Sequence, residues 1–207
     1  MAKHTSPTPE VTVVVRRLFL AALLAPALAG GRGQRLPVGR GQPLPVIGKA
    51  PGFVLVDQRG HRVSLADLRG NVLALSFVFT SCSDTCPIVT ARLVDIQRRL
   101  GGEFGRRVHF VSISVDPLTD TPERLRAYAA KFNADTSGWS FLTGTPAQIE
   151  DVVRRFGAYA RRAENGPVDH LNLTSLIDSQ GRLRVQYLGY RFRVDEMLAD
   201  LEALLRE

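Results

Sequence analysis

A short apolar run that leads directly into two cysteines constrains the fold of this chain more than any other feature. The run, Val72–Phe79, has the length and composition of a buried strand. Cys82 and Cys86, the two cysteines of the chain, follow at once. Pro87 then suits the first turn of a helix, because its missing N–H needs no partner there. The sequence therefore predicts a strand–turn–helix unit with two thiols at the turn.

Strands and helices alternate through the middle of the chain, and hairpins are predicted near both ends. The alternation predicts an α/β fold, with a mixed sheet, flanking helices on both faces and an N-terminal hairpin. The predicted strands are 53–56, 62–64, 72–79, 108–115, 139–142, 174–178 and 183–188, and the predicted helices are 87–100, 121–132, 146–156 and 194–205.

The N-terminus has the features of an export signal. Arg16 and Arg17 precede an apolar run, residues 18–29, which is shorter than the roughly 20 residues that cross a bilayer. Ala27–Ala29 offers an A-x-A cleavage pattern. We therefore expect residues 1–29 to be a signal peptide, with twin-arginine export and a short uncleaved membrane anchor as alternatives.

A linker and one folded domain are expected to follow the leader. Residues 30–45 are rich in Gly, Pro and Arg, which is typical of a flexible spacer. The domain is expected over residues 46–207. Export would place it in a periplasmic or other extracytoplasmic compartment, where a disulfide between the two cysteines is chemically available.

The positive charge does not indicate a nucleic-acid-binding protein. The formal net charge is +7, but its arginines are scattered along the chain and no base-stacking aromatic motif accompanies them. Pairs such as Arg98–Arg99 and Arg154–Arg155 fall near predicted helix ends, where they complement the helix dipole. We expect no nucleic-acid partner.

The cysteine pair suits either a soft metal ion or dithiol chemistry. A thiol at a helix N-terminus has a lowered pKa, and Cys86 is predicted to occupy that position. Two thiolates select Cu(I), Zn(II) or an iron–sulfur cluster. The chain has too few cysteines for a four-cysteine cluster or zinc site, so copper is favoured. Closure of a disulfide between Cys82 and Cys86 without any metal is the alternative.

A third metal ligand would have to come from the histidines. His4 lies in the leader, His61 in a predicted hairpin turn and His109 in a predicted buried strand. His170 is predicted to lie in a flexible loop, directly after Asp169, whose carboxylate could orient the ring. His170 is the candidate ligand, with a plain surface position as the alternative.

Five segments in the same order resemble the Sco/SenC family. They are residues 79–87, 111–123, 139–144, 169–170 and 176–181. The resemblance covers roughly residues 46 to 205 and implies a thioredoxin-like fold.

The resemblance also implies a copper site. Matched residue by residue, the ligands would be Cys82, Cys86 and His170, with the two cysteines also forming a redox-active disulfide. Asp84 matches an acidic position within the cysteine loop of the family, and Asp169 matches the residue before the ligand histidine. The implied cargo is copper, as Cu(I), Cu(II) or both.

The function implied by the resemblance is that of a copper metallochaperone. Such a protein delivers copper to the binuclear copper site of cytochrome c oxidase, reduces the cysteines of that site, or does both. The implied partners are the copper-accepting oxidase subunit and a thiol–disulfide reductant or copper donor, close to a membrane. The alternative is an extracytoplasmic thiol–disulfide oxidoreductase or redox sensor that uses Cys82 and Cys86 without metal.

Overall fold

The computed structural model describes residues 43–162 and 168–207. The predicted signal peptide, residues 1–29, and all but the end of the predicted linker, residues 30–45, lie outside the described residues. Within the described part, no helix is long and apolar enough to cross a membrane.

The described residues form strands and helices in the alternating order that the sequence predicts. The strands are β1 (Gly48–Lys49), β2 (Val54–Asp57), β3 (Arg62–Ser64), β4 (Val72–Val78), β5 (Val108–Ser114), β6 (Trp139–Thr143), β7 (Ala160–Arg162), β8 (Val168–His170), β9 (Leu173–Ile177) and β10 (Arg182–Leu188). The α-helices are α1 (Thr85–Leu100), α2 (Pro122–Lys131), α3 (Pro146–Arg155) and α4 (Val194–Leu205).

Eight of these strands form one mixed sheet in the order β1-β10-β9-β4-β5-β6-β2-β3. The three central strands, β4, β5 and β6, run parallel, and the remaining neighbours pair antiparallel. The hairpin of β2 and β3 joins the sheet at the β6 edge. The predicted mixed sheet with an N-terminal hairpin is confirmed.

Helices cover both faces of the sheet, as predicted. Apolar residues of α1, α2 and α4 pack on one face around Phe110 and Trp139. The apolar side of α3 packs on the other face around Leu75 and Ile113. Leu44 belongs to the first of these clusters, so the chain joins the core two residues before the predicted start of the domain. Because β4 is buried along its whole length, the segment that follows it starts from a rigid base.

Two helices begin with side-chain caps. The hydroxyl of Thr121 accepts a hydrogen bond from the N–H of Arg124 at the start of α2. Thr145 and Gln148 form a reciprocal capping box at the start of α3. Such caps pair backbone groups that the helix itself leaves without partners.

The parallel arrangement of β4 and β5 positions the candidate site. Val72 pairs with Val108 and Val78 with Ser114, so both strands end at the same edge of the sheet. Ligand sites of open α/β sheets lie outside the carboxyl ends of such strands. The cysteine segment follows β4 at this edge, and β9, antiparallel to β4, begins there.

The segment before β9 differs from the sequence-based expectation. A flexible loop is predicted there, whereas β7 and β8 pair as a separate two-stranded sheet with His170 opposite Ala160. These strands of three residues each are too short to show an alternating apolar pattern, so periodicity could not reveal them.

Candidate metal centre

The two cysteines lie where the buried strand β4 gives way to α1. Residues 80–84 form the turn between these elements, and α1 begins at Thr85. Both thiols are free. Cys86 lies in the first turn of α1 and is fully buried, whereas Cys82 is half-buried in the turn.

A buried carboxylate holds the start of this turn. Asp120 accepts hydrogen bonds from the backbone N–H of Thr80 at 3.0 Å and from its hydroxyl at 2.6 Å. It also accepts one from the hydroxyl of Ser114 at 2.6 Å. The loop before α2 is thereby tied to the cysteine turn. The sequence did not predict this role of Asp120.

His170 reaches the cysteine turn from the distant hairpin of β7 and β8. Its Nε2 lies 3.5 Å from Sγ of Cys86, and its Nδ1 lies 3.3 Å from the carbonyl oxygen of Leu171. With the proton on Nδ1, that nitrogen donates to the carbonyl and the lone pair of Nε2 faces the sulfur. The ring packs edge-on against Phe79, with 5.4 Å between the ring centres.

The pKa values of the two thiols shift in opposite directions. Burial raises the pKa of Cys86 well above its usual value, and the neighbouring Cys82 adds to the rise. Partial burial also raises the pKa of Cys82, but hydrogen bonds from the backbone N–H groups of residues 84–86 outweigh it, so the net effect lowers that pKa. The prediction that the helix terminus lowers the pKa of Cys86 is therefore wrong. The helix N–H groups lower the pKa of Cys82 instead, whereas burial dominates at Cys86 and raises its pKa.

The imidazole of His170 favours its neutral form. Burial lowers the pKa of His170, and the hydrogen bond to the Leu171 carbonyl offsets this only in part. A neutral imidazole keeps a lone pair on one nitrogen, which is the form that binds metal ions. The ring is 9 % exposed, so it is held at the wall of the site and still meets solvent.

A cavity of about 330 Å³ opens onto this group of side chains. Cys82 and His170 line it, and both predicted carboxylates, Asp84 and Asp169, lie on its wall. Cys86 lies behind the wall, in contact with His170. The remaining lining residues are Phe79, Ser81, Ser83, Thr85, Val168 and Asn172.

The donor set suits a soft metal ion, although the ligands are not fully gathered. Two sulfurs and one imidazole nitrogen are ligands that copper prefers. In residues 43–162 and 168–207, no group of three or more His, Cys, Asp or Glu side chains already has metal-binding geometry. Cys86 and His170 are in contact, and Cys82 shares the cavity with His170. Binding of one ion by all three would require the turn to adjust.

The other described histidines, His61 and His109, lie away from this site. His61 is exposed in the hairpin turn between β2 and β3, and His4 lies outside the described residues. His109 is half-buried within β5, where burial lowers its pKa, and its Nδ1 has no hydrogen-bond partner among the described residues. The expectations for His61 and His109 agree with these positions.

One further residue at the site was not predicted. The side-chain N–H of Asn172 donates to the hydroxyl of Thr85, with 3.1 Å between nitrogen and oxygen. This hydrogen bond joins the segment after His170 to the first residue of α1. The sequence gives no signal for it, because the two residues are 87 positions apart and Asn172 lies in no recognisable motif.

Comparison with known proteins places this geometry in a family. The sequence model of the SCO1/SenC family matches residues 46–206. A relative, the SCO1 protein homolog of Bacillus subtilis (strain 168), is 32% identical over 155 residues, which are 73% of this chain and 80% of the relative.

Solved structures give the same result. A SCO1/SenC family lipoprotein from Bacillus anthracis superposes with a TM-score of 0.71 at 34% identity, over 76% of this chain and 95% of that one. BsSco, a member of the Sco family of cytochrome c oxidase assembly proteins with a disulfide switch, gives 0.69 at 30% identity, over 79% and 98%. Bradyrhizobium japonicum ScoI with copper bound gives 0.65 at 30% identity, over 74% and 98%.

The family match spans residues 46–206 and includes both cysteines and His170. The expected thioredoxin-like fold is confirmed by the likeness to the Sco structures. This chain belongs to the SCO1/SenC family.

Proposed function

We propose that this protein is a copper metallochaperone for the assembly of cytochrome c oxidase, with Cys82, Cys86 and His170 as copper ligands. The observation that carries the proposal is the 3.5 Å contact between Cys86 Sγ and His170 Nε2 across 84 residues of sequence, with Cys82 in the adjoining cavity. A relative solved with copper bound and a relative from a family of cytochrome c oxidase assembly proteins support the same cargo and the same recipient class.

The chemistry of the site suits transfer of copper rather than permanent storage. Two thiolates and one imidazole can hold Cu(I) in a trigonal arrangement, and an added weak ligand would suit Cu(II). Cys82 lies at the cavity surface, with its pKa lowered, so a recipient thiol could exchange with it first. The copper-accepting oxidase subunit is the recipient that we propose.

A second activity, thiol–disulfide exchange, is favoured by the asymmetry of the two thiols. Cys82, with its lowered pKa, would attack a disulfide of the recipient and form a mixed disulfide. Cys86 would then lose its proton and attack Cys82. The recipient leaves with two thiols, and this protein keeps one disulfide that a separate thiol reductant must reopen. This second activity needs no metal and no role for His170.

The proposed location is extracytoplasmic and close to a membrane. The lipoprotein relative from Bacillus anthracis supports membrane association, and the leader predicted over residues 1–29 supports export. A copper-accepting oxidase subunit would be encountered there. The leader itself, as a cleaved signal peptide or a retained anchor, lies outside the described residues.

Copper titration tests the primary proposal. The reduced protein is titrated anaerobically with Cu(I) in the presence of a competing chelator, beside a His170→Ala variant and a His61→Ala control in the exposed hairpin. We expect one copper per chain, an affinity more than about a hundredfold weaker in His170→Ala, and no change in His61→Ala. An unchanged copper affinity in His170→Ala would contradict the three-ligand site and would favour thiol–disulfide exchange as the function.

A further inference from the structure

The two segments that carry the proposed ligands are joined by few hydrogen bonds, beside the edge-on packing of Phe79 against His170. Among the described residues, only two hydrogen bonds connect residues 79–86 with residues 168–172. One joins Cys86 to His170, and the other joins Thr85 to Asn172. The first joins the ligand atoms themselves. Copper would replace it with metal–ligand bonds, which leaves the second as the hydrogen bond that keeps the segments together.

The backbone around Asn172 is fixed on both sides of its side chain. The carbonyl oxygen of Asn172 accepts a hydrogen bond from the N–H of Gly189 at 2.8 Å. The N–H of Leu171 donates to the carbonyl oxygen of Tyr159 at 3.0 Å. The amide of Asn172 therefore extends toward Thr85 from a backbone that is hydrogen-bonded on both sides, and the bond to Thr85 ties this segment to the helix turn that contains Cys86.

The side chain of Asn172 is only half satisfied. Its Nδ2 donates to Thr85, but its Oδ1 is buried and has no hydrogen-bond partner among the described residues. A buried acceptor without a partner costs free energy, so an asparagine here is a poor choice for stability alone. This cost in stability is consistent with a functional role for the hydrogen bond to Thr85.

We propose that Asn172 is a positioning residue that, through its hydrogen bond to Thr85, sets the distance between His170 and the cysteine pair. The proposal rests on the proposed function of the site as a copper carrier. Asn172 itself need not touch the metal. Loss of the bond would leave all three ligands present but let the His170 segment move away from α1.

Copper affinity of matched variants tests the link. Asn172→Ala removes the amide, and Thr85→Val removes the hydroxyl while keeping the shape of the side chain. We expect each to weaken copper binding about tenfold, as loss of a residue that orients a ligand does. Thr85→Ser, which keeps the hydroxyl, should bind like the wild type. The double variant, Asn172→Ala with Thr85→Val, should be no weaker than either single variant.

A control and a metal-free measurement separate positioning from general loss of stability. Asn71→Ala removes a comparable amide hydrogen bond, to the Leu68 carbonyl, at the opposite end of β4, and should leave copper affinity unchanged. In the reduced, metal-free protein, hydrogen exchange at the Leu171 N–H should be about tenfold faster in Asn172→Ala than in the wild type, because loss of one hydrogen bond of this kind has about that effect. The exchange rates in β4 and β5 should not change.

The outcomes separate this proposal from the proposed function. If the wild type binds no copper, the metallochaperone function fails, and the exchange rate at Leu171 still decides whether the link holds the segment. Unchanged exchange in Asn172→Ala would overturn the positioning role. So would effects of Asn172→Ala and Thr85→Val that add together in the double variant, because independent effects would show that the two side chains do not act through one bond.

Discussion

Nε2 of His170 lies 3.5 Å from Sγ of Cys86, although 84 residues separate the two in sequence. The nitrogen belongs to a ring whose pKa is lowered by burial, and the sulfur belongs to a thiol whose pKa is raised by burial. At neutral pH the pair therefore consists of a neutral imidazole and a protonated thiol. Binding of Cu(I) by Cys86 would displace its proton, so the proposed copper uptake would be coupled to proton release.

The opposite pKa shifts predict that the two thiols react at different rates. In the reduced protein, Cys82 should react with iodoacetamide at least about tenfold faster than Cys86 near neutral pH, because the thiolate is the reactive form and Cys86 is fully buried. Mass spectrometry of peptides at timed intervals measures both rates in one sample. Equal rates would contradict the assigned asymmetry, and unfolding in denaturant should remove the difference.

Oxidation of the cysteine pair is expected to abolish copper binding. Removal of two electrons and two protons by an oxidant such as diamide would join Cys82 and Cys86, and neither sulfur would remain a thiolate ligand. Copper titration before oxidation, after oxidation and after re-reduction measures the effect. We expect binding to be lost and then recovered. Binding that persists in the oxidised protein would mean that the metal is held elsewhere.

Replacement of the buried carboxylate under the cysteine turn is expected to destabilise the protein. Asp120→Asn weakens the three hydrogen bonds from Thr80 and Ser114, because a neutral amide is a weaker partner than a carboxylate. The free energy of unfolding in urea should fall by about 1–3 kcal/mol, since hydrogen bonds to a charged group contribute about twice as much as neutral ones. Copper affinity should also fall, because the turn starts at Thr80.

Asp67→Asn is the matched control for this variant. Asp67 also accepts hydrogen bonds from one backbone N–H and one hydroxyl, both of Ser64, but it is exposed in a surface turn. Water can replace those hydrogen bonds, so the unfolding free energy should change little. A loss as large as that of Asp120→Asn would show that burial is not the reason for the effect.

Acid is expected to weaken a buried ion cluster near the C-terminus. Asp178 pairs with Arg184 at 2.8 Å, both side chains being at most 3% exposed, and Arg184 also binds Glu207. Burial raises the pKa of Asp178, but hydrogen bonds from Arg182 and Arg184 outweigh it, and the bond to Arg184 lowers the pKa of Glu207. Their contribution to stability is thus full above about pH 5 and is lost as the pH falls through the lowered values.

The Asp178→Asn variant tests this assignment. At pH 7 its free energy of unfolding should be about 3 kcal/mol lower than that of the wild type, because Arg184 keeps a buried charge with one partner fewer. The difference should shrink between pH 5 and pH 2, as the wild type loses the same interaction. Asp151→Asn, which removes an exposed pair with Arg154 and Arg155, should change little at any pH. A difference that stays constant with pH would contradict the role of the Asp178 charge.

The sequence predicted the long elements and missed three short strands, β1, β7 and β8, for a physical reason. Strands β4 and β5 have seven residues each and are buried except for the half-buried His109, which gives an apolar run that is visible in one dimension. In contrast, β1, β7 and β8 have two or three residues; β1 pairs with the distant strand β10, and β7 and β8 pair with each other. His170 therefore lies in a short strand where the sequence predicted a loop. Its choice as the candidate ligand rested on its position after Asp169.

The sequence predicted which side chains lie at the candidate site more accurately than it predicted their pKa values and contacts. Cys82, Cys86 and His170 come together at one edge of the sheet, and their role as copper ligands stays a prediction. The pKa order of the thiols was wrong because depth of burial depends on the packed core. Contacts of Asp120 and Asn172 could not be predicted, because each depends on the register of distant elements.

The long sequence separation within the site has a consequence for biogenesis. As the chain is synthesised, the cysteine turn and α1 emerge well before His170, which enters the fold only when β8 and β9 have been added. Contacts between such distant segments form late, because a long loop must close before they gain any stabilisation. A partly folded chain thus exposes two thiols without the histidine. Copper capture with all three residues would be delayed until the domain is complete, which would link metal loading to a finished fold.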